Sequence, residues 1–157
     1  MESISEKQIE DILQNNPELI EVGLTFLDRQ IPLGNRRIDL MFSDKDNQLL
    51  IVELKKGEIQ RKDIGQIIEY MGYFLERKKE LKHDTSIRTM LIGSKVPDQI
   101  QLSLNYYGVE WKELDENIIR QHLKSSVLPE EKALESPEIS TIKKSLFNER
   151  VRTARAL

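Results

Sequence analysis

The sequence contains no cysteine, so disulfide bonds and thiolate metal sites are excluded. It has only two histidines, His83 and His122, which disfavours a histidine-rich zinc site. Any catalytic metal would have to be held by oxygen ligands, and such a ligand set suits magnesium or manganese.

Long apolar runs are also absent. No stretch approaches the length needed to span a bilayer. The first residues, Met1 to Glu6, lack the basic start and the apolar run of a signal peptide. We therefore expect a soluble, cytoplasmic protein with no membrane partner.

An excess of positive charge is the third absence, since the formal net charge is −3. A protein that holds nucleic acid through its overall field is normally basic, so any DNA binding must use a local patch. Taken alone, each basic cluster is more often a solvated surface. The clusters are Arg36 and Arg37; Lys55, Lys56, Arg61 and Lys62; and Arg77, Lys78, Lys79 and Lys82.

The pattern of apolar residues predicts an α/β fold. The 157 residues fit one domain, and the predicted order is helix, three antiparallel strands, helix, strand, helix, strand. This order gives a mixed sheet flanked by helices. The predicted ranges are helix 3–16, strands 22–31, 36–42 and 48–55, helix 63–82, strand 87–92, helix 97–106 and strand 109–114.

The end of the chain has a weaker pattern. We predict a domain over residues 1–124, followed over 125–157 by a linker and C-terminal tail. Within that tail, residues 139–156 could form a short basic helix.

Strand alternation separates apolar from charged side chains. Successive side chains on a strand point to opposite faces, so Asp39 points away from its apolar neighbours on the second strand. Glu53 and Lys55 do the same on the third strand. The apolar sets are Ile38, Leu40 and Phe42, and Leu50, Val52 and Leu54.

The turn between these two strands predicts their register. If residues 45–47 form a three-residue hairpin loop, Asp44 faces Gln48, and the same register places Asp39 opposite Glu53. Facing side chains lie about 5 Å apart at the β-carbon. Two carboxylates that close repel each other, and a divalent cation between them would reverse the sign of that interaction.

A polar stripe follows the long helix. Gln66 and Tyr70 are four residues apart and therefore share a face, which Tyr73 and Arg77 continue. Alone, this stripe would be a solvated helix face. Asp39 alone could likewise be a surface residue, and its pairing with Glu53 could belong to a cross-strand salt bridge.

Taken together, these residues resemble a known superfamily. Ile38-Asp39 followed by Glu53-Leu54-Lys55 resembles the PD-(D/E)XK nuclease motif, and Gln66 to Tyr70 resembles the Q-x-x-x-Y signature of its RecB-like branch. The chain is also similar to the catalytic domain of the archaeal and actinobacterial NucS (EndoMS) endonucleases. The further matching residues are Glu6, Asn16-Pro17, Gly23-Leu24 and Val52.

The resemblance implies a restriction-endonuclease-like core and a magnesium- or manganese-dependent DNA endonuclease. Asp39 and Glu53 would bind the cation, with the backbone carbonyl of Leu54 as a further oxygen ligand. Lys55 would orient the attacking water or stabilise charge on the phosphorane.

The resemblance also implies supporting residues. Glu6, which alone would suggest a helix cap, would hold the metal through water, with Glu10 as the alternative one turn later. Gln66 and Tyr70 would orient the site and touch the phosphate backbone. The residues expected to contact DNA are Arg37, Lys56, Arg61, Lys62, Tyr73 and Arg77.

The chain also departs from that family. Those enzymes carry an N-terminal domain for DNA binding and dimerisation, for which we expect no room here, and Arg29-Gln30 stands where an Arg-Glu pair is expected. One alternative is therefore a nuclease-fold nucleic-acid-binding module that needs a partner protein for cleavage or DNA specificity. The other is a non-catalytic protein-interaction module, against which the intact Asp39, Glu53 and Lys55 argue.

We predict a homodimer that the tail helps to form. Cutting both strands of a duplex needs two sites, and twofold homodimers are the commonest oligomers. A short helix carrying Ile139, Ile142, Leu146 and Val151 needs a surface to pack on. Light scattering should show a dimer for the full chain and a monomer after truncation behind Ser126.

The alternative is a frayed basic tail that brushes DNA. Monomers from both chains at micromolar concentration would contradict the dimer. Dimers from both would contradict only the role of the tail.

Overall fold

The computed structural model describes residues 3–80 and 86–125, without the side chains of residues 77–80. The predicted tail therefore lies outside the described residues from residue 126 onward, and so does the side chain of Arg77. Within the described part, no helix is long and apolar enough to cross a membrane.

One five-stranded sheet forms the centre of the fold, with its strands in chain order from edge to edge. The first three strands are antiparallel neighbours, and the last two run parallel to the third. The predicted mixed sheet is therefore confirmed. The strands are β1 (Thr25–Leu33), β2 (Arg36–Ser43), β3 (Leu49–Leu54), β4 (Ile87–Gly93) and β5 (Glu110–Glu113).

Helices cover both faces of the sheet. The second and third helices pack on one face, and the first and fourth pack on the other. The helices are α1 (Glu6–Asn15), α2 (Arg61–Glu80), α3 (Asp98–Tyr106) and α4 (Glu116–Lys124), and a short 3₁₀ helix, Pro17–Leu19, follows α1.

The fourth helix was absent from the sequence prediction. Few residues mark this helix in the sequence. Asp115 caps it by accepting a hydrogen bond from the Asn117 backbone N–H at 2.8 Å, and Ile119 is buried in the core beside α1. At nine residues, this helix depends on packing more than on local propensity.

The predicted register of β2 and β3 is confirmed. Leu40 pairs with Val52 and Phe42 with Leu50, and the Asp44 backbone N–H donates to the Gln48 carbonyl at 2.9 Å across the turn. Continuing this register places Asp39 beside Glu53.

The alternation of β3 is confirmed as well: all six of its residues are buried, and Leu49 and Ile51 lie in the core of α2 and α3. Leu50, Val52 and Leu54 share the core of α1 and α4. On β2, however, the prediction that Ile38 lies with Leu40 is wrong, since Ile38 packs in the core of α2 and α3. The β1–β2 ladder omits the pair of Gln30 with Asp39 and resumes with Ile31 and Ile38, so Ile38 lies just beyond that gap.

An ion cluster lies at the end of the sheet where the β2–β3 turn is located. The Arg88 guanidinium on β4 binds Asp44 at 2.9 Å, Glu21 at 2.8 Å and Glu110 at 2.6 Å. Hydrogen bonds from Arg88 hold the pKa of Glu21 below its usual range. The cluster joins the β2–β3 turn to β4 and β5.

Arg88→Ala should lower the free energy of unfolding by about 2–4 kcal/mol, because it leaves the buried Asp44 carboxylate without its cation. Urea unfolding measures this loss. The matched control is Arg36→Ala, which breaks a pair with Glu69 whose side chains are each 46% exposed and should cost less than about 1 kcal/mol. Equal losses in the two variants would contradict the prediction.

Candidate active site

Asp39 lies near the start of β2, and both of its carboxylate oxygens accept hydrogen bonds. Oδ2 accepts from the Leu54 backbone N–H at 2.7 Å, and Oδ1 accepts from Gln30 Nε2 at 3.3 Å. The first of these bonds links the β2 side chain to the β3 backbone one residue beyond Glu53. It therefore fixes the Asp39 carboxylate next to that side chain.

Glu53 is a buried acid, with 2% of its surface exposed. Its Oε2 accepts a hydrogen bond from Gln66 Nε2 at 3.1 Å. Burial, and then the hydrogen bond and the charge of Asp39, raise the pKa of Glu53 to about 9. Without a cation, these interactions favour the protonated form of Glu53 at neutral pH.

Helix α2 forms a polar wall behind this pair. Gln66 Nε2 lies 2.9 Å from the Tyr70 hydroxyl, which itself donates to the Arg37 carbonyl at 2.7 Å. Tyr70 has no exposed surface, and burial raises the pKa of its phenol, which stays a neutral donor. Because the Tyr70 hydroxyl is buried and engaged by Gln66 and Arg37, it is placed to orient the site, and its contact with the phosphate backbone stays a prediction.

Lys55 projects to the same side of the sheet as Glu53, as alternation predicts. Its Nζ donates to Gln66 Oε1 at 3.3 Å and lies 3.5 Å from Asp63 Oδ1. Its side chain is 27% exposed, so the ammonium remains within reach of solvent. The structure thus brings together Asp39, Glu53, Lys55 and Gln66, whose side chains are linked by hydrogen bonds.

The acidic residue of α1 that is linked to this network is Glu10. It is 6% exposed, and its Oε1 accepts from Gln30 Nε2 at 2.6 Å, so one amide joins Glu10 to Asp39. Burial raises the pKa of Glu10. Glu6, the first choice from the sequence, instead accepts a hydrogen bond from the Lys56 backbone N–H at 3.1 Å and is exposed.

Gln30 is the residue of this network that sequence reasoning missed. Its backbone adopts φ of +50°, which is uncommon for a residue with a side chain. This conformation interrupts the regular strand and accompanies the inward direction of the amide. The only sequence signal was the presence of glutamine where the resembled family suggests glutamate.

The residues expected to contact DNA have different surroundings. Arg37, Lys56, Arg61 and Lys62 are exposed. Lys56 follows β3, and Arg61 and Lys62 are the first residues of α2. Tyr73 is half-buried, and its hydroxyl is packed against Gly34 in the β1–β2 turn.

Known proteins are similar to this chain in sequence and in fold. A family model described as the endonuclease NucS C-terminal domain matches residues 5–150 of the chain. Endonuclease NucS of Methanopyrus kandleri is 25% identical over 111 residues, which are 71% of this chain and 41% of that protein. Endonuclease NucS of Methanocaldococcus jannaschii is 26% identical over the same shares of the two chains. The chain therefore spans less than half the length of these relatives.

Solved structures agree with the fold. A repair endonuclease from Pyrococcus abyssi superposes with a TM-score of 0.62 at 23% identity, covering 73% of this chain and 49% of that chain. The structure of an EndoMS–dsDNA complex gives a TM-score of 0.62 at 23% identity, covering 71% of this chain and 44% of that chain. At this level of identity, the likeness shows a shared fold.

Replacing Glu53 by glutamine should make stability less dependent on pH. The pKa of Glu53 rises from an ordinary 4.5 to about 9 on folding. Its favourable contribution is therefore complete below the lower value and is lost as pH approaches the higher one. From about pH 6 to about pH 8, the wild-type free energy of unfolding should fall by about 3 kcal/mol relative to Glu53→Gln.

Urea unfolding without divalent cations, at both pH values, measures this difference. Glu76→Gln, at an exposed glutamate of α2, is the control and should keep the wild-type dependence. A Glu53→Gln variant that also keeps it would show that Glu53 is ionised across this range.

Proposed function

Given that this chain belongs to the endonuclease NucS C-terminal domain family, we propose that it is a divalent-metal-dependent endonuclease domain that hydrolyses DNA phosphodiester bonds. The observation that carries the proposal is the approach of the Asp39 and Glu53 carboxyl groups to each other beside the Lys55 ammonium. A closely spaced, largely buried acid pair costs stability, and acids with such perturbed pKa values are concentrated at functional sites.

The two carboxyl groups fit a hard divalent cation. A magnesium or manganese ion would be held by Asp39 and Glu53, with the Leu54 carbonyl as the further protein ligand. Across residues 3–80 and 86–125, no three acidic or histidine side chains are arranged to hold an ion. Water and the phosphate oxygens of the substrate would complete the coordination, as is usual for magnesium on phosphate substrates.

When bound, the ion would polarise the phosphate and lower the pKa of the attacking water. Lys55 would donate a hydrogen bond to a phosphate oxygen or to that water, and stabilise the charge that develops. Gln66 holds both Lys55 and Glu53, and Tyr70 in turn holds Gln66. These two residues therefore orient the reacting groups from α2.

Glu10 and Gln30 would support the opposite side of the site. Because the Gln30 amide donates to Glu10 and to Asp39, it keeps two acidic groups apart while both remain hydrogen-bonded. Of the two candidate glutamates of α1, we therefore favour Glu10, which shares Gln30 with Asp39, as the one that would hold a metal-bound water.

DNA is the proposed substrate. The related EndoMS has been seen with double-stranded DNA, and here the exposed Lys56, Arg61 and Lys62 follow the Lys55 end of β3. The net charge of −3 means that such local contacts must supply the attraction. A second copy of the chain would supply the second site needed to cut both strands.

A second candidate is a DNA-binding module that needs a partner for cleavage. The observation in its favour is the net charge of −3, which leaves only local basic clusters to attract DNA. A partner chain would then supply further DNA contacts.

The test is cleavage of fluorescent single- and double-stranded DNA with magnesium, manganese, calcium or EDTA. Wild type should cut with magnesium or manganese, and Glu53→Gln and Lys55→Met should each lose at least about a hundredfold in rate. Manganese should also raise the melting temperature of wild type, because binding to the folded state stabilises it. Glu53→Gln should lose most of that rise.

The matched control is Lys45→Met, at an exposed lysine in the β2–β3 turn far along the strand from Lys55; it should cut like wild type. DNA binding without cleavage under every condition would favour the second candidate. A chain that neither binds nor cuts DNA would contradict both.

A further inference from the structure

Asp63 is a buried carboxylate at the start of α2, with 2% of its surface exposed. Its Oδ2 accepts a hydrogen bond from the Gln60 backbone N–H at 2.8 Å, and its own N–H donates to the Gln60 carbonyl at 3.0 Å. This reciprocal pair caps the helix. Capping, however, uses only one of the two carboxylate oxygens.

The other oxygen, Oδ1, faces the candidate active site. Among the described side chains, it is the only buried nitrogen or oxygen atom without a hydrogen-bond partner. Its ion-pair partner is the Lys55 ammonium, whose Nζ lies 3.5 Å from Oδ1. A buried carboxylate oxygen without a hydrogen bond costs free energy, so the ion pair with Lys55 is its compensation.

We propose that Asp63 is a positioning residue for Lys55, an inference that rests on the nuclease activity proposed above. Lys55 Nζ lies between Asp63 Oδ1 and Gln66 Oε1, at 3.5 Å and 3.3 Å. Two anchors on α2 restrict the ammonium to one side of Glu53. Asp63 thereby holds the ammonium where a phosphate oxygen or the attacking water can reach it.

Asp63 also limits a competing contact. Burial and Asp39 raise the pKa of Glu53, and the charge of the nearby Lys55 offsets part of that rise. Without an anion on α2, the Lys55 ammonium would turn towards Asp39 and Glu53, where it would compete with a divalent cation for the same oxygens. The Asp63 carboxylate removes that competition by giving Lys55 its own counter-ion.

The decisive variant is Asp63→Asn. Asparagine has the same size and can still accept from the Gln60 N–H, but its free end is an uncharged amide facing Lys55. We expect a fall of about tenfold to a hundredfold in kcat for manganese-dependent DNA cleavage. KM should stay within about twofold, because we expect no DNA contact from a side chain as buried as that of Asp63. Asp63→Glu, which restores the charge, should recover part of the loss.

Asp115→Asn is the matched control. Asp115 also caps a helix through a 2.8 Å bond to a backbone N–H, but within residues 3–80 and 86–125 it forms no ion pair with a lysine. The kcat of Asp115→Asn should therefore remain that of wild type. The proposal is overturned if Asp63→Asn keeps wild-type kcat, if Asp115→Asn loses as much, or if Asp63→Glu recovers nothing.

The pairing itself is tested without activity. Melting temperatures of Asp63→Asn, Lys55→Met and the double variant should be non-additive, because the two residues share one interaction; additive shifts overturn the proposal. If wild type cuts no DNA under any cation and the shifts are non-additive, the proposed nuclease function fails while the pairing stands.

Discussion

The antiparallel pairing of β2 with β3 is the constraint on which the site depends. It brings the Asp39 and Glu53 carboxyl groups together, although two such groups repel when both are charged. Strand β3 is buried along its whole length between two helical layers, so the free energy of apolar packing holds the pair in place. The bond from the Leu54 N–H then sets the direction of the Asp39 carboxylate.

Two glutamines connect the charged groups of the site. Gln30 donates to both Glu10 and Asp39 from β1, and Gln66 donates to Glu53 while it accepts from Lys55 on the other side of the strand pair. A neutral amide can satisfy a buried carboxylate without adding charge, and it can bridge groups of either sign. This arrangement allows several ionisable residues to share a small, partly buried volume.

Much of this site follows from local rules. Strand alternation has a period of two, and the β2–β3 turn is short, so the common face of Glu53 and Lys55 and the register that brings Asp39 to them could be predicted from the sequence. The helical spacing of Gln66 and Tyr70 predicted their shared face in the same way. These patterns depend on neighbours along the chain, which is why they are readable without coordinates.

The other contributions were decided by tertiary structure. Whether Glu6 or Glu10 turns inward depends on the rotation of α1 against the sheet, and that rotation is set by the packing of residues far apart in sequence. The Gln30 side chain points into the site from a left-handed backbone conformation, which no local sequence pattern predicts. By itself the sequence determined which strands carry the acids and the lysine. The packing of α1 and α2 against the sheet decided which other side chains contact these acids and the lysine. Local periodicity cannot predict those contacts, because they join elements that are distant in sequence.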